Sequence, residues 1–363
     1  MNKWPLHKAS LSLNDKILDP GYPEIHSEAH KQQWETDLFE FLAEWNSESE
    51  FIYVNTSGST GKPKKIALSK SGMIQSALDT LNFLNIKAGE KALLCIPVKF
   101  IGGKMMIVRA IVGGLKLYTI PPASVVSFQE KIHFVAMTPQ QVKSTLSLDS
   151  NLLNHFNKVI IGGGSTDPVL IKTLQTLPSE YYATYGMTET ASHVALQVLN
   201  GENRSDYFKL INPNVGIGLD GRQCLNIQAK HISSEIIQTN DQVEIIDAEH
   251  FKWLGRIDNV INSGGIKLHP EQIEKKIADI ITYRFYIFAQ KDKTFEERPA
   301  LLIETDQRFD PQLLMSRLRK VLLKIELPVS IYQTSHFTET ENGKINKKKS
   351  LKIKKRIFDQ EKD

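Results

Sequence analysis

One short stretch of the chain is rich in groups that can hold a phosphate. Residues Thr56–Lys65 read TSGSTGKPKK, with two glycines, four hydroxyl side chains and three lysines. Glycines let backbone N–H groups converge on an anion, and lysine adds a mobile positive charge. The common P-loop has four residues between its glycines, whereas only two separate Gly58 from Gly61 here, and Pro63 follows Lys62. The residues predict a loop that binds a polyphosphate; a flexible basic turn is the alternative.

A second glycine-rich loop follows an apolar run. Gly162, Gly163 and Gly164 come directly after Lys158–Ile161, which has strand character. Consecutive glycines allow a flat ligand ring to approach the backbone closely. The loop therefore predicts a site for a planar group, and a plain strand-to-helix turn is the alternative.

A third polar group stands at the end of another predicted strand. Residues Tyr185–Thr190 read YGMTET. An aromatic ring can stack on a base, the hydroxyls can hold a phosphate, and the carboxylate of Glu189 can ligate Mg²⁺. A loop with an ordinary surface glutamate is the alternative.

Arg109 lies within an apolar predicted helix, Gly103–Val112. A guanidinium in such surroundings must be paired or directed at an anion. It could hold a substrate carboxylate, or it could extend to the surface or pair with a structural carboxylate. Lys104 precedes it but lies on a different face of the helix, because five residues turn a helix by about 140°.

The elements that must position these loops alternate between strand and helix from residue 51 onward. Phe51–Val54 and Lys65–Leu68 read as strands, so the first loop is predicted to be the tip of a hairpin. Later strands alternate with helices, and Thr138 with Pro139 predicts one helix start. Such alternation predicts an α/β fold with mostly parallel strands flanked by helices, and ligands at the carboxyl ends of the strands.

The chain after residue 206 has a different character from the strand–helix alternation before it. Residues 207–257 show short β-type runs separated by turns, and residues 259–363 predict a small α+β domain. Near the N-terminus, Glu28–Glu44 predicts an amphipathic packing helix. In the small domain, Asp310 and Pro311 predict a helix that runs to about Leu323.

Taken in order, these segments resemble the motifs of the adenylate-forming enzymes, which include acyl-CoA synthetases, adenylation domains and luciferases. The resemblance covers nearly the whole chain after about residue 50 and includes two later segments. One is Thr239–Asp241 with Gly255–Glu274, and the other is Glu341–Lys347, which reads ENGKINK. The short region before the phosphate loop is most similar to compact members of the family.

The resemblance implies a role for each matched residue. The residues that would hold the β- and γ-phosphates of ATP are Thr56, Ser57, Gly58, Ser59, Thr60, Gly61 and Lys64. The adenine pocket would be lined by Gly162, Gly163, Gly164, Tyr185 and Gly186. Asp241 would bind the ribose hydroxyls and Arg256 the ribose or a phosphate, while Gly264 and Gly265 would let the pantetheine arm of coenzyme A pass.

The catalytic residues implied by the resemblance are Lys344, Glu189 and Thr188, with Glu189 also the Mg²⁺ ligand.

Three positions depart from the family pattern. Asn240 replaces a glycine, Phe100 replaces a histidine, and Lys347 replaces an arginine. Asparagine tolerates a positive φ better than most residues, so the turn at Asn240 is expected to survive.

The implied reaction uses ATP, Mg²⁺ and coenzyme A, and it joins a small-molecule carboxylic acid to the thiol through an acyl-AMP. Residues 1–257 would form a large AMP-binding domain with a shortened N-terminal region, and residues 259–363 a small mobile domain that rotates about Asp258. A substrate with a second carboxylate would need a cation. The candidate substrate residues are Arg109, Lys104, Ser192 and His193, with packing beside the motif as the alternative for the last two.

Composition agrees with such an enzyme. The 363 residues are 41% hydrophobic, which is enough for two cores, and a net charge of +4 argues against a dedicated nucleic-acid binder. Two cysteines, Cys95 and Cys224, form neither a disulfide framework nor a metal motif. The N-terminal residues lack a signal-peptide core, and no apolar run approaches the ~20 residues of a membrane span. These features predict a cytoplasmic protein.

Two other functions stay open. The chain could load the arm of a carrier protein instead of free coenzyme A, or its basic segment Lys344–Arg356 could bind nucleic acid without catalysis. The sequence also leaves the oligomeric state open, with a homodimer among the options.

Overall fold

A computed structural model describes residues 10–18, 32–55, 65–166, 168–338 and 345–359. The strands in chain order are β1 (Leu11–Leu13), β2 (Lys16–Leu18), β3 (Phe51–Asn55), β4 (Lys65–Ser69), β5 (Lys91–Leu94), β6 (Lys116–Thr119), β7 (Ile132–Met137), β8 (Phe156–Ile161), β9 (Glu180–Gly186), β10 (His193–Val198), β11 (Phe208–Leu210), β12 (Gly216–Leu219), β13 (Cys224–Gln228), β14 (Ile237–Ile245), β15 (His250–Arg256), β16 (Ile261–Ser263), β17 (Ile266–Leu268), β18 (Arg284–Asp292), β19 (Glu296–Glu304), β20 (Ser330–Thr334) and β21 (Lys355–Asp359).

The helices are α1 (Gln33–Asn46), α2 (Lys70–Phe83), α3 (Ile101–Gly113), α4 (Pro139–Leu148), α5 (Pro168–Leu174), α6 (Pro270–Ile277), α7 (Pro311–Leu318) and α8 (Lys347–Ser350). Short 3₁₀ turns cover Ser150–His155, Thr188–Thr190, Ile257–Asn259 and Lys324–Glu326. Within the described ranges, no helix combines the length and the apolar character that crossing a bilayer requires.

The largest sheet has 13 strands in the order β12-β13-β14-β15-β11-β10-β9-β8-β7-β5-β6-β1-β2. Every neighbouring pair from β1 to β9 in this order is parallel, which confirms the parallel sheet predicted from strand–helix alternation. From β9 to β12 the pairing is antiparallel, and β11 to β15 confirm the short β-type runs predicted after residue 207. The strand direction changes between β9 and β10. The Tyr185–Thr190 segment covers the end of β9 and the turn that follows it.

Successive side chains of the parallel strands pack alternately into two hydrophobic cores on opposite faces of the sheet. Ala92 and Leu94 of β5 join one core with helices α1, α2 and α3, while Leu93 joins the other with α4 and α5. A strand buried on both faces reads as a continuous apolar run, which is how the sequence signalled these strands. The two cores hold the carboxyl ends of β8 and β9 in fixed positions.

A second sheet, in the order β17-β16-β19-β20-β21 with β18 paired to β19, contains the strands after residue 260. Helices α6 and α7 contribute Ile273, Ile277, Met315 and Leu318 to the core on one face. The predicted small α+β region is therefore present as a sheet with its own core.

Two helix bounds differ from the sequence predictions. Helix α7 ends at Leu318 and not near Leu323. A separate 3₁₀ turn follows at Lys324–Glu326, where the Leu323 backbone N–H donates to the Glu326 carboxylate at 3.0 Å. Helix α1 begins at Gln33, while the first residues of the predicted helix lie outside the described ranges. The predicted start at Thr138 is confirmed, since its side chain accepts from the Gln141 N–H in a capping box.

Candidate active site

Tyr185 and Asp241 are 56 positions apart in sequence and in contact in the fold. The Tyr185 hydroxyl donates to Asp241 Oδ2 at 2.8 Å, and the Trp253 indole N–H donates to Asp241 Oδ1 at 3.1 Å. The Asp241 backbone N–H donates to Thr239 Oγ1 at 3.0 Å. Burial and the adjacent carboxylate raise the pKa of Tyr185, so it stays a neutral donor. The Asp241 carboxylate is thus held in one orientation by partners from two strands.

The Tyr185 ring is fixed by two other aromatic side chains. Its centroid lies 5.0 Å from the Phe251 ring, edge to face, and 5.7 Å from the Phe208 ring. Phe208 and Phe251 stack on each other across β11 and β15. Such packing leaves few rotamers open to Tyr185, which suits a ring that must present one face to a ligand.

Arg256 lies beside Asp241 on the neighbouring strand, because the two are register partners of β14 and β15. Its guanidinium donates to Asp258 Oδ2 at 3.0 Å, and the Asn240 amide donates to the same oxygen at 3.3 Å. Three residues that the resemblance assigned to ribose binding and to the hinge, Asp241, Arg256 and Asp258, therefore lie close together, and Asn240 joins them through Asp258. The hinge role itself stays a prediction.

The Gly162–Gly164 loop leaves β8 next to the end of β9. The Gly162 N–H donates to the Met137 carbonyl at 3.0 Å. A Cβ on Gly162 would lie 2.6 Å from Thr184 Oγ1, which immediately precedes Tyr185, and Gly163 has φ of +82°. The loop and Tyr185 therefore share one end of the parallel sheet, as predicted for a ligand site in this class of fold.

The Thr188–Thr190 turn closes the same end of the sheet. Thr190 is buried, and its hydroxyl donates to the Met187 carbonyl and accepts from the Met187 N–H, both at 2.9 Å. A Cβ on Gly186 would lie 2.3 Å from the Ser192 carbonyl oxygen, so only glycine allows β9 and β10 to approach here. Thr188 is half-buried and Glu189 exposed, and the turn packs against β4.

The first loop of the sequence, Thr56–Lys64, and Lys344 lie outside the described residues. The strands that flank the loop, β3 and β4, pair antiparallel with Asn55 opposite Lys65. The predicted hairpin is confirmed in its strands. Because β4 also contacts the Thr188–Thr190 turn, this hairpin belongs to the same region as the two loops described above.

A second cluster surrounds Arg109, which is 2% exposed. One guanidinium nitrogen donates to Ser192 Oγ at 2.6 Å, while Nε has no hydrogen-bond partner among the residues that the structure describes. Burial lowers the pKa of Arg109 to about 9. Within the described ranges, no carboxylate pairs with this charge. A buried guanidinium with a free donor is suited to an anion that is not part of the described chain.

His193 extends this cluster to helix α2. Its Nε2 lies 3.1 Å from Thr80 Oγ1, and its Nδ1 lies 3.4 Å from Ser192 Oγ. Burial, and then the charge of Arg109, hold the pKa of His193 well below its ordinary value. The ring is therefore neutral near pH 7 and can take part in hydrogen bonds without adding charge.

Lys104 is placed away from this cluster. Its ammonium lies 3.7 Å from Glu44 Oε2 and 4.3 Å from the centre of the Phe41 ring, both on helix α1. Burial lowers the pKa of Lys104, and Glu44 opposes that effect. These contacts connect α3 to α1, in keeping with the expected position of Lys104 on a different face of the helix from Arg109, and its role toward the substrate stays a prediction.

Gly264 and Gly265 form the two-residue turn between β16 and β17. Their φ values of +58° and +82° are those of a tight hairpin that favours glycine at both positions. The Gly264 N–H donates to the Phe295 carbonyl at 2.9 Å. The described contacts place this turn in the second sheet, and its role toward coenzyme A stays a prediction.

Two contributors to the site were not predicted. Trp253 shares a face of β15 with Phe251, and that period-two pattern was a readable signal. Thr80 is separated from His193 by 113 positions, and nothing in its apolar helix marked it.

Comparisons with known proteins agree with this geometry. The family model described as AMP-binding enzyme matches residues 10–219. The 2-succinylbenzoate–CoA ligase of Haemophilus influenzae is 26% identical over 76% of this chain, and that of Staphylococcus epidermidis is 25% identical over 84%. The chain spans 65% and 70% of those two proteins, so about a third of each has no counterpart here.

Solved structures are also similar to this chain. An acyl-CoA synthetase (AMP-forming)/AMP-acid ligase II-like protein from Dyadobacter fermentans matches with a TM-score of 0.60 and 32% identity, over 90% of this chain and 96% of that one. The o-succinylbenzoate CoA synthetase of Bacillus subtilis, in complex with its acyl-adenylate intermediate, matches with a TM-score of 0.69 and 16% identity. That match covers 84% of this chain and 69% of the other, and at this identity it reports on the fold alone.

Proposed function

The chain belongs to the AMP-binding enzyme family, and we propose that it is an ATP-dependent carboxylate–CoA ligase that works through an acyl-AMP intermediate. The geometry that supports this proposal is the Tyr185–Asp241–Trp253 contact at the end of the sheet. It provides an aromatic face and an oriented carboxylate side by side, which is what a nucleoside needs from a binding site. The relatives named as CoA ligases support the acceptor thiol.

In the proposed site, the adenine ring lies between Tyr185 and the Gly162–Gly164 loop. Each Asp241 oxygen already accepts one hydrogen bond and keeps a lone pair for a ribose hydroxyl. Arg256, on the adjacent strand, supplies positive charge near the ribose or the α-phosphate. The Thr56–Lys64 loop, which connects β3 to β4 in the sequence, holds the β- and γ-phosphates.

Mg²⁺ fits the residues present as a nucleotide-bound ion. Within the described residues, no group of three His, Cys, Asp or Glu side chains forms a metal cage. Mg²⁺ is commonly held by one or two carboxylates together with substrate phosphates. Glu189, exposed beside the phosphate hairpin, supplies such a carboxylate, and Thr188 a hydroxyl. The ion would neutralise phosphate charge as pyrophosphate leaves.

The reaction then proceeds in two displacements. A carboxylate oxygen of the acid attacks the α-phosphorus of ATP, the bond to the β-phosphate oxygen breaks, and pyrophosphate leaves. The thiolate of coenzyme A attacks the acyl carbonyl, the bond to AMP oxygen breaks, and AMP leaves. Lys344 neutralises the reacting oxygens in the first step. Residues 1–257 form the large domain, and residues 259–363 rotate about Asp258 between steps, so that Gly264 and Gly265 admit the pantetheine arm.

For the acid, we propose o-succinylbenzoate, which would make the protein an o-succinylbenzoate–CoA ligase of menaquinone biosynthesis. This acid has two carboxylates and an aryl ketone, so one carboxylate can react while the other needs a cation. The observation that carries the assignment is the buried Arg109, whose Nε has no hydrogen-bond partner in the described part of the chain and whose Nη2 donates to Ser192. Cys95 and Cys224 are both free thiols, which agrees with a reducing, cytoplasmic setting.

The deciding experiment is an ATP-dependent thioester assay that compares o-succinylbenzoate with monocarboxylic aryl acids and fatty acids. We expect CoA thioester and AMP with o-succinylbenzoate, and a much lower kcat/KM with benzoate-type acids that lack the second carboxylate. Equal rates with mono- and dicarboxylic acids would refute the substrate assignment. Acid-dependent ATP–pyrophosphate exchange with thioester formed only on a carrier protein would show instead that the acceptor is a carrier arm.

A further inference from the structure

The segment that follows Lys344 is attached to the second sheet by several contacts. The Asn346 N–H donates to the Thr338 carbonyl at 2.7 Å, and the Thr338 N–H donates to Ser350 Oγ at 3.0 Å. Ile345 and Leu351 pack against an aromatic cluster that includes Tyr286. Both chain ends that border residues 339–344 are therefore held to the same small body.

Within this attachment, Lys347 occupies a site made by Glu274 and Tyr286. The Lys347 ammonium lies 3.8 Å from Glu274 Oε1 and 5.2 Å from the centre of the Tyr286 ring. The Tyr286 hydroxyl donates to the Lys347 carbonyl at 3.2 Å. Tyr286 is 1% exposed, so the ammonium meets a carboxylate and a ring face at the edge of a buried cluster.

Glu274 comes from helix α6, which also packs against the nucleotide side of the molecule. The neighbouring Gln272 amide donates to the carbonyls of Trp253 and Leu254 at 3.1 and 2.9 Å. Trp253 is the residue whose indole orients Asp241. Helix α6 therefore contacts strand β15 next to Asp241 through Gln272. Through Glu274, four residues after its first residue, it also contacts Lys347 in the C-terminal segment.

We infer that Glu274 and Lys347 are positioning residues, which hold the Lys344-bearing segment in register with the nucleotide site through helix α6. The inference rests on the proposed role of Lys344 in acyl-AMP formation. Neither side chain needs to touch the substrate, since Lys347 acts three positions away from Lys344. A loss of the ion pair should misplace the catalytic ammonium and slow the first half-reaction.

The pair is expected to depend on pH. Burial raises the pKa of Glu274 to about 7, Lys347 and the Ile287 N–H oppose that rise, and Glu271 adds to it. The charged groups around the carboxylate are Lys347 on α8 and Glu271 on α6, with the Tyr286 hydroxyl from β18. Because an acid with a raised pKa is neutral below that value, the ion pair forms as pH rises through about 7.

The test compares Glu274→Gln, Lys347→Met and Lys347→Arg in the full chain. We expect E274Q and K347M to lower kcat for ATP–pyrophosphate exchange between about tenfold and a hundredfold with little change in the KM for ATP. Thioester formation from supplied acyl-AMP should stay near the wild-type rate. K347R keeps the charge and should restore most of the exchange. The double variant should be no slower than the slower single variant, because both remove one interaction.

The pH dependence of ATP–pyrophosphate exchange distinguishes a positioning pair from a purely structural pair, which would leave that dependence unchanged. Wild-type exchange should rise between about pH 6 and 8 with a midpoint near 7, and E274Q should lack that rise. Lys276→Met is the matched control. Lys276 lies on the same helix as Glu274, and its ammonium lies 2.6 Å from Glu326 Oε1. K276M should retain the wild-type exchange rate and profile.

Hydrogen exchange separates this inference from the proposed function. Amides of residues 339–346 should exchange faster in E274Q and K347M than in wild type and K276M, whatever the protein catalyses. If the wild-type protein shows no ATP–pyrophosphate exchange that requires a carboxylic acid substrate, the proposed function fails. The comparison of amide exchange rates still decides whether Glu274 and Lys347 hold the segment in place. Unchanged amide exchange, equal loss in both half-reactions, or a K276M defect as large as that of K347M would each overturn the inference.

Discussion

At the scale of single residues, Arg109 has the least usual surroundings in the described chain. A guanidinium loses hydration when it is buried, and here one hydroxyl and a methionine sulfur are its described partners. Fully buried charges without a counterion are costly, so an arrangement of this kind is maintained where an anion completes it. The neutral His193 beside it adds no competing charge.

Replacement of Arg109 by alanine tests that reading. R109A should raise the KM for o-succinylbenzoate by about tenfold to a hundredfold, the value of a lost charge-assisted hydrogen bond, and leave the KM for ATP nearly unchanged. Steady-state kinetics with each substrate varied in turn measures both. Lys104→Met is the matched control on the same helix, because its ammonium faces Glu44. Parallel increases in both KM values would make Arg109 a structural residue.

A separate residue-scale prediction concerns Lys344. Lys344→Ala should abolish acyl-AMP formation while thioester formation from supplied acyl-AMP stays largely intact, since the positive charge is needed only where the carboxylate meets the α-phosphate. Pyrophosphate exchange and a thioester assay with synthetic acyl-AMP measure the two steps. Equal losses in both would remove the assigned role.

At the scale of elements, the site depends on the place where the large sheet changes from parallel to antiparallel. Strand β9 ends in Gly186, the chain makes a 3₁₀ turn, and β10 returns alongside it. In this turn Glu189 is exposed, Thr188 is half-buried and Thr190 is buried. A side chain at position 186 would collide with backbone atoms of Ser192 and His193, so the turn cannot relax by moving a flexible group.

Gly186→Ala should therefore destabilise the protein by about 1–3 kcal/mol, the usual cost of overpacking, and impair ATP binding as well. Urea unfolding and ATP titration measure the two effects. Gly221→Ala is the control, because a Cβ there meets no atom within 4 Å and its φ is not positive. If G186A unfolds like G221A, β9 and β10 do not need the close approach seen here.

At the scale of the whole molecule, exposed ion pairs join the second sheet region to the large one. Lys275 lies 2.8 Å from Asp206, and Lys172 lies 3.2 Å from Asp279. All four side chains are more than 40% exposed, and pairs of this kind contribute little to stability. Gln272 adds two hydrogen bonds to backbone carbonyls of β15. Such contacts are compatible with a small domain that changes position between two reaction steps.

The double variant Asp206→Asn/Asp279→Asn should change the free energy of unfolding by less than about 1 kcal/mol per pair. Gln272→Ala should cost more, about 1–3 kcal/mol, because it leaves carbonyl groups without donors in a half-buried place. Urea unfolding of the three proteins gives the comparison. A loss of several kcal/mol in the double variant would mean that these pairs fix the two regions together.

The sequence by itself determined most elements and their class. Continuous apolar runs predicted β7, β8 and β9, and the Thr138–Pro139 start of α4 was readable from its capping chemistry. These features depend on local propensities and on short-range patterns, which one chain carries in full.

Only the tertiary structure decided the partners. It joined Tyr185 to Asp241 across 56 positions and Arg109 to Ser192 across 83, and it paired Lys104 with Glu44. It also placed Trp253 between Asp241 and helix α6, and Glu274 beside Lys347. Which side chains meet depends on strand order and register in a sheet of 13 strands, and those are set by packing over the whole fold and not by any local run of residues.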